Sequence, residues 1–487
     1  MKIKKEERRD SVASGFLWRF GERIGAQLVS FVVSLILARL LLPEHYGAIA
    51  IVNIFISLAN VLVSSGFGNS LIQKKNSDEL DFSTVFYTNL FFSIIIYTIV
   101  FFTSPLIAKL YDINILSPVL RVMGLSLVIS ALSNVQYAYV SKKMIFKKFF
   151  FATIGGTIIS AIVGIIMAYL GFGIWALVAQ YMTNKLVDSF VLLITVRWHP
   201  HLKFSFERLK GLFSYGWKLL VSELINTGYL ELRSMVIGVK YTSSDLAYYN
   251  KGQSFPKLLS VNINSSLQSV LFPKMSNEQD NKEEVKNVTR KAIRISSFVI
   301  TPLIVGLALI ARPFVNFLLT EKWLPCVPFL QLYCLFYIFM PVQAASLQVI
   351  KSLGRSDIYL KLEMLKKSIG ILVLILTIPF GTFAIAVGAV ASNIFAALIN
   401  VIPTKKILSY SYREQIADYF HGIVPLVLMS VICIIISFIP ISDLAMIFVQ
   451  AIVGGVVYIV TSYLLKLEAF MYLLDMIIRV IKRKKSL

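Results

Sequence analysis

Residues 18–40 read WRFGERIGAQLVSFVVSLILARL. As a helix this stretch is long enough to cross the ~30 Å hydrocarbon core of a bilayer. Its first half nevertheless carries Arg19, Glu22, Arg23 and Gln27. A charge near the bilayer centre costs ~2.5–3.5 kcal/mol on insertion scales. At about 100° per residue, Arg19, Arg23, Gln27, Ser30 and Ser34 share one arc of roughly 80°, and Ile24 and Leu28 face the other way. The stretch reads as a membrane span with one wet wall.

Outward from it, the composition agrees. The 487 residues are 57% hydrophobic and 15% charged, with mean hydropathy +0.75. A soluble domain is about 45–50% apolar and about 25% charged. Apolar runs recur along the chain and predict fourteen transmembrane helices, over 13–40, 45–72, 82–108, 115–140, 149–170, 173–196, 211–239, 245–273, 292–311, 323–350, 358–380, 383–403, 419–439 and 443–465. The fold class expected is an all-α polytopic membrane protein.

The net charge of +22 would suggest nucleic acid on a soluble chain. Here it lies in short loops and follows membrane orientation instead. Every second loop is basic: 35 Lys and Arg fall in the segments on the side of the N-terminus, against 4 (Lys109, Lys240, Arg312 and Lys322) in the opposite loops. Both termini are therefore expected in the cytoplasm. The basic N-terminus is not followed by a short apolar region with a cleavage site, so a cleaved signal peptide is not expected. No loop is long enough for a nucleotide-binding domain, and the chain contains no G-x-x-x-x-G-K-[ST]. Cys326, Cys334 and Cys433 have no metal or redox spacing and read as small apolar residues.

An internal repeat organises the polar residues. Asn53, Ser57, Asn60 and Ser64 are spaced four, three, four, which puts them on one helix face. Two hundred residues later Gln253, Lys257, Ser260 and Asn264 repeat the spacing, extended by Asn250 and Gln268. Glu22 and Ser222, Arg23 and Glu223, and Gln27 and Thr227 show the same offset. Two parallel six-helix repeats follow, each starting inside. The division expected is an N-lobe (1–197), a cytoplasmic inter-lobe loop (198–210), a C-lobe (211–404), two further helices (405–465) and a basic amphipathic cytoplasmic tail (466–487). Polar stripes can serve as helix glue or line a central water-filled cavity. Lys257 in its stripe favours the cavity, and Pro256 permits a bend there. The tail reads either as an interfacial helix or as a basic anchor.

The stretch YGWKLLVSELINTGYLELRSMVIGVKYTSSDLAYYNKGQSFPKLLSVNINSSLQSVLFPKMS (215–276) resembles the seventh and eighth helices of Wzx-type polysaccharide flippases. LILARLLLPEHYG (35–47) is similar to the join of their first two helices. The resemblance covers essentially the whole chain and is closest to teichuronic and colanic acid exporters of the MOP exporter superfamily. It implies two lobes around a cationic cavity, alternating access, and an undecaprenyl-pyrophosphate-linked oligosaccharide as substrate. A polysaccharide polymerase is a possible partner, and nucleic acid is not expected.

A glycan pyrophosphate cannot cross hydrocarbon without a wet passage, and its charges need cationic donors. The candidates are Arg19, Arg23, Lys218, Lys251 and Lys257, with Asn53, Asn60, Gln253 and Asn264 for sugars. Arg19 and Lys218 are alternatively interfacial anchors. Glu22, Glu223 and Glu231 are either ion-pair partners or carriers of a coupling H⁺ or Na⁺; no other cofactor is expected. Lys185 and Asp188 are expected to pair locally. A multidrug exporter and a lipid II flippase of the same superfamily are the rival transporters. A membrane glycosyltransferase or polymerase is disfavoured, because no Asp-x-Asp motif or clustered His is present.

Overall fold

The computed structural model describes residues 2–64, 67–74, 77–143, 145, 147–196 and 198–485. The side chains of Arg19 and of the residues from Val480 onward, including Lys482 of the tail, lie outside the described set. Among the described residues the chain is helical, with no strand. The first eight helices are α1 (Lys2–Leu40), α2 (Pro43–Ser64), α3 (Phe67–Gln73), α4 (Glu79–Leu110), α5 (Leu116–Lys143), α6 (Lys147–Tyr169), α7 (Ile174–Thr195) and α8 (Phe206–Lys240). Then follow α9 (Ser243–Asn277), α10 (Lys282–Leu309), α11 (Ala311–Leu319), α12 (Val327–Ile338), α13 (Met340–Ser352) and α14 (Ser356–Thr377). The last are α15 (Thr382–Leu408), α16 (Tyr412–Tyr419), α17 (Ile423–Ser437), α18 (Asp443–Leu464) and α19 (Glu468–Lys485).

Eleven helical stretches among the described residues are long and apolar enough to cross a membrane. The helices α8, α9 and α14 coincide with expected spans but are not among the eleven. Two of them carry the polar stripes, and α14 carries Lys361, Glu363, Lys366 and Lys367. The second expected span divides into α2 and α3. The tenth is composite: a 3₁₀ turn over Glu321–Cys326, then α12, then α13. Pro341 in the first turn of α13 lacks the amide hydrogen that would continue α12.

The chain forms two compact units, 1–247 and 248–487. The break falls near the start of α9, one helix beyond the inter-lobe loop expected at 198–210, because α8 packs on α2, α3 and α4 within the first unit. Close approach there depends on Gly47. A Cβ at this position would sit 1.8 Å from the carbonyl oxygen of Ser243, a backbone atom that cannot swing away. Gly47→Ala is therefore expected to cost about 3 kcal/mol or more, the upper end of overpacking. A thermal melt of the purified variant checks it, and a melt unchanged from wild type contradicts this packing.

In the first unit the linker after α7 is tied down on the start of α4. Asp78 caps α4 by accepting from the Asp81 amide at 2.9 Å, and Asp81 accepts from the Asp78 amide at 3.1 Å. The Asp81 amide, aided by the charges of Arg208 and Lys74 against a desolvation penalty, holds the Asp78 carboxyl below its ordinary range. The fully buried Asp81 carboxylate takes Lys74 at 2.6 Å and Arg208 at 3.6 Å. The His201 and Ser205 amides donate to Ser83 and Thr84 of α4 at 3.1 and 3.2 Å. Trp198 fills a core with Phe82, Phe86, Val135, Leu192 and Leu212.

The second unit ties its own loop to α10. Asp418, 1% exposed at the end of α16, accepts from Arg290 Nε at 2.7 Å, Arg294 Nε at 2.6 Å and Tyr410 Oη at 2.7 Å. Arg294 also pairs with Glu468 at the start of α19. Ser411 and Glu414 form a capping box for α16, and Glu414 pairs with Lys286 at 3.0 Å. Phe298, Met429, Cys433, Tyr458 and Leu467 join α10 to α17, α18 and the start of α19. All three cysteines are free and buried, as their spacing suggested.

Candidate functional site

On α1 the polar arc and the apolar face both carry exposed residues. Arg23 and Ser30 are exposed and Gln27 is half-buried, while Glu22 is 8% exposed and turned inward. α1 lies on α6, where Trp18 meets the Phe150 ring edge-on at 5.1 Å. Ile24 and Leu28 are exposed, a surface suited to lipid. The helix thus turns inward with Glu22, Val33 and Leu37, and presents Arg23 outward. The Arg19 side chain lies outside the described residues.

On α2, Asn53 is exposed and Asn60 half-buried, so only the first of the two amides is open to a large solute. The Ser57 and Ser64 hydroxyls donate to backbone carbonyls of their own helix at 2.8 and 2.7 Å. That is the local bonding Ser adopts inside helices. In α8, Lys218 and Glu223 are exposed and Glu231 is half-buried. Thr227 Oγ1 lies 3.5 Å from Glu223, a marginal hydrogen bond.

The α9 stripe splits. Lys257 is exposed, Gln253 is half-buried, and Ser260 and Asn264 are buried. Gln268, one turn on, accepts from Gln348 of α13 at 2.7 Å. The lower part of the stripe therefore packs into the second unit. The open face of α9 is rotated to Ser254, Lys257 and Ser265, with the half-buried Val261 between them. Ser254 and Ser265 were legible only as helical neighbours of Lys257, three and eight residues away. Lys251 is placed differently from the other cations. Its ammonium lies 5.8 Å from the Phe255 ring and 5.6 Å from that of Trp323, an aromatic setting typical of cation–π packing. Gly252 beside it brings α9 onto α12: a Cβ there would lie 2.8 Å from the Leu330 amide nitrogen.

Lys185 and Asp188 do not pair. Asp188 accepts instead from Tyr137 of α5, and Lys185 lies 5.9 Å from the Tyr181 ring. The local spacing permitted an ion pair, but a phenol from a neighbouring helix reaches the carboxylate first. Among the described residues no group of three His, Cys, Asp or Glu could hold a metal ion.

These surfaces offer exposed cations (Arg23, Lys218, Lys257), amides and hydroxyls on long helices. Comparison with known proteins places the chain in a family. Residues 36–328, more than half of the chain, match the family described as polysaccharide biosynthesis protein. The succinoglycan biosynthesis transport protein ExoT of Rhizobium meliloti (strain 1021) is 23% identical over 477 residues, 94% of each chain. The lipopolysaccharide biosynthesis protein WzxC of Escherichia coli (strain K12) is 23% identical over 420 residues, 84% of each. Among solved structures, the lipid II flippase MurJ in an inward closed conformation superposes with TM-score 0.75 at 15% identity, covering 93% of this chain and 99% of that one. The last likeness is one of fold. This multi-pass membrane protein belongs to the polysaccharide biosynthesis protein family.

Proposed function

We propose that the protein is a flippase that moves an undecaprenyl-pyrophosphate-linked oligosaccharide from the cytoplasmic to the outer leaflet of a bacterial inner membrane. It acts as a transporter and not as an enzyme, in polysaccharide biosynthesis. The observation that carries the reading is the exposure of Arg23, Lys218 and Lys257 on membrane-length helices. Uncompensated against lipid such side chains are expensive; along a wet passage they bind an anionic headgroup. Arg23 supplies a planar fork for pyrophosphate, and the two lysines supply point charges. Asn53, Ser254 and Ser265 offer hydrogen bonds to sugars. Asn60 backs the α2 face, Gln253 and Asn264 back the α9 face, and Lys251 holds α9 to the Trp323 turn.

In this reading α8, α9 and α14 complete fourteen spans, with both termini in the cytoplasm. Two repeated halves alternate access; the first unit offers the polar faces of α1, α2 and α8 to the substrate, and the second unit that of α9. Support comes from the cores of the two units. One uses Phe82 and Val85 of α4, Val135 of α5 and Leu192 of α7; the other uses Val285 and Val288 of α10, Val342 and Val349 of α13 and Val401 of α15. These are the third, fourth and sixth spans of each half. Glu22, buried beside a cationic surface, is the first candidate to carry a coupling H⁺ or Na⁺, ahead of Glu223 and Glu231. A lipid II flippase and a multidrug exporter are compatible with the fold; the relatives named for polysaccharide transport favour the oligosaccharide.

Deletion of the gene in its host tests the reading. A lipid-linked oligosaccharide should accumulate in the cytoplasmic leaflet and one surface polymer should vanish. Normal polysaccharide with altered drug sensitivity would point to the multidrug reading.

A further inference from the structure

Both α4 and α10 contain a proline four residues after a phenylalanine, Phe101 with Pro105 and Phe298 with Pro302. Proline has no amide hydrogen, so each Phe carbonyl loses its helical donor. In a membrane span a neighbour must supply another. In the second unit the donor is neutral: Tyr458 Oη of α18 bonds the Phe298 carbonyl at 2.9 Å. In the first unit Ser104 Oγ donates to the Phe101 carbonyl at 2.8 Å, and Arg121 Nε of α5 reaches the same oxygen at 3.4 Å and Ser104 Oγ at 3.0 Å. The guanidinium carbon lies 4.4 Å from the centre of the Phe101 ring. Gly124, one turn further along α5, makes this approach possible, because a Cβ there would lie 3.1 Å from the Tyr97 ring.

The carbonyl freed by Pro105 accounts for the Nε edge of Arg121 but not for its charge. A serine already serves the Phe101 carbonyl, and the Phe298 carbonyl is served by a neutral tyrosine. Among the described residues no carboxylate lies within ion-pair distance of Arg121, and its Nη atoms make no hydrogen bond. The side chain is half-buried, next to the exposed Pro118 and Leu125 on the same stretch of α5. Arg121 lies five residues past the start of α5 at Leu116, about 7.5 Å along the axis at 1.5 Å per residue. An arginine at that depth reaches the headgroup layer by extending its side chain.

We infer that Arg121 is a binding site for the phosphate of a lipid in the outer leaflet, its Nε edge fixed by the Phe101 carbonyl and its Nη edge presented as a two-pronged donor. The leaflet assignment rests on the topology proposed above, in which α5 starts outside. The shared chemistry is a phosphate ester with an apolar tail, carried by a phospholipid or by a polyprenyl phosphate.

The test uses purified full-length protein titrated with phosphatidylglycerol, undecaprenyl phosphate or neutral diacylglycerol, with bound lipids counted by native mass spectrometry. Arg121→Gln should weaken one phosphate-lipid site at least tenfold and leave diacylglycerol unchanged. Loss confined to phosphatidylglycerol identifies a phospholipid site, loss confined to undecaprenyl phosphate a polyprenyl site, and loss of both a site for either. If Arg121→Gln folds poorly, the double variant Pro105→Ala/Arg121→Gln returns an amide donor to the Phe101 carbonyl and should show the same loss. Undiminished binding of both phosphate lipids in the folded variants would overturn the inference and leave Arg121 a clamp on that carbonyl. The leaflet is tested separately by labelling Ser117→Cys with an impermeant reagent in intact cells; labelling only after the inner face is exposed would reverse the topology without altering the lipid count.

Discussion

Replacing Arg23 or Lys257 with Ala is expected to abolish polymer export while each variant remains in the membrane at wild-type levels. Both side chains are exposed, and among the described residues no salt bridge uses them. Removing either therefore leaves no buried charge stranded, and stability changes little. Binding is different. Losing a charge-assisted contact to a desolvated phosphate costs about 2 kcal/mol or more, roughly 30-fold in affinity. Arg23→Lys should recover only part of the activity, because the ammonium keeps the charge and loses the fork. Surface polysaccharide assays on complemented deletion strains, with immunoblots of membrane fractions, make the comparison. Full export in both Ala variants would remove these residues from the site.

Asp418→Ala has the opposite signature: the fold weakens and the protein is lost from the membrane. The carboxylate holds Arg290, Arg294 and Tyr410 together, and through Arg294 it reaches Glu468 of α19. Deleting one partner of a buried network strands the others, at about 3–5 kcal/mol. Arg290 and Arg294 are 32% and 21% exposed, so water recovers part of that loss and the lower end applies. Melting of the purified protein reads the effect. Asp418→Asn, which keeps an acceptor, should lose less. A melt unaffected by Asp418→Ala would show that α16 is held by apolar packing alone.

Much of this was legible in the sequence, for reasons that also set its limits. Apolar length depends on residues close together in the chain, so a helical, multi-pass membrane fold could be expected from it. The 4-3-4 spacing put Gln253, Lys257, Ser260 and Asn264 on one face of α9. Spacing does not say which neighbour covers that face, and Asn264 proves buried while Ser254 is open. Lys251 looked like a ligand because its rings, Phe255 and Trp323, are brought to it partly by a turn 72 residues away. The Asp418 network joins residues more than 120 positions apart and leaves no local pattern. Gly47 closed a recognisable motif, but only packing shows that Ser243 sits against it. Arg121 has no local partner in the sequence; only the packing of α5 on α4 brings it beside the carbonyl freed by Pro105.

In the proposed function the protein itself moves a pyrophosphate-linked glycan across a bilayer. The most direct measurement reconstitutes the purified protein in liposomes with a fluorescent undecaprenyl-pyrophosphate oligosaccharide in the inner leaflet, and follows its arrival outside with an impermeant quencher. The expected result is protein-dependent appearance of the label that Arg23→Ala and Lys257→Ala both suppress. A rate equal to that of empty liposomes, with the protein folded and inserted and an H⁺ or Na⁺ gradient imposed, would contradict it.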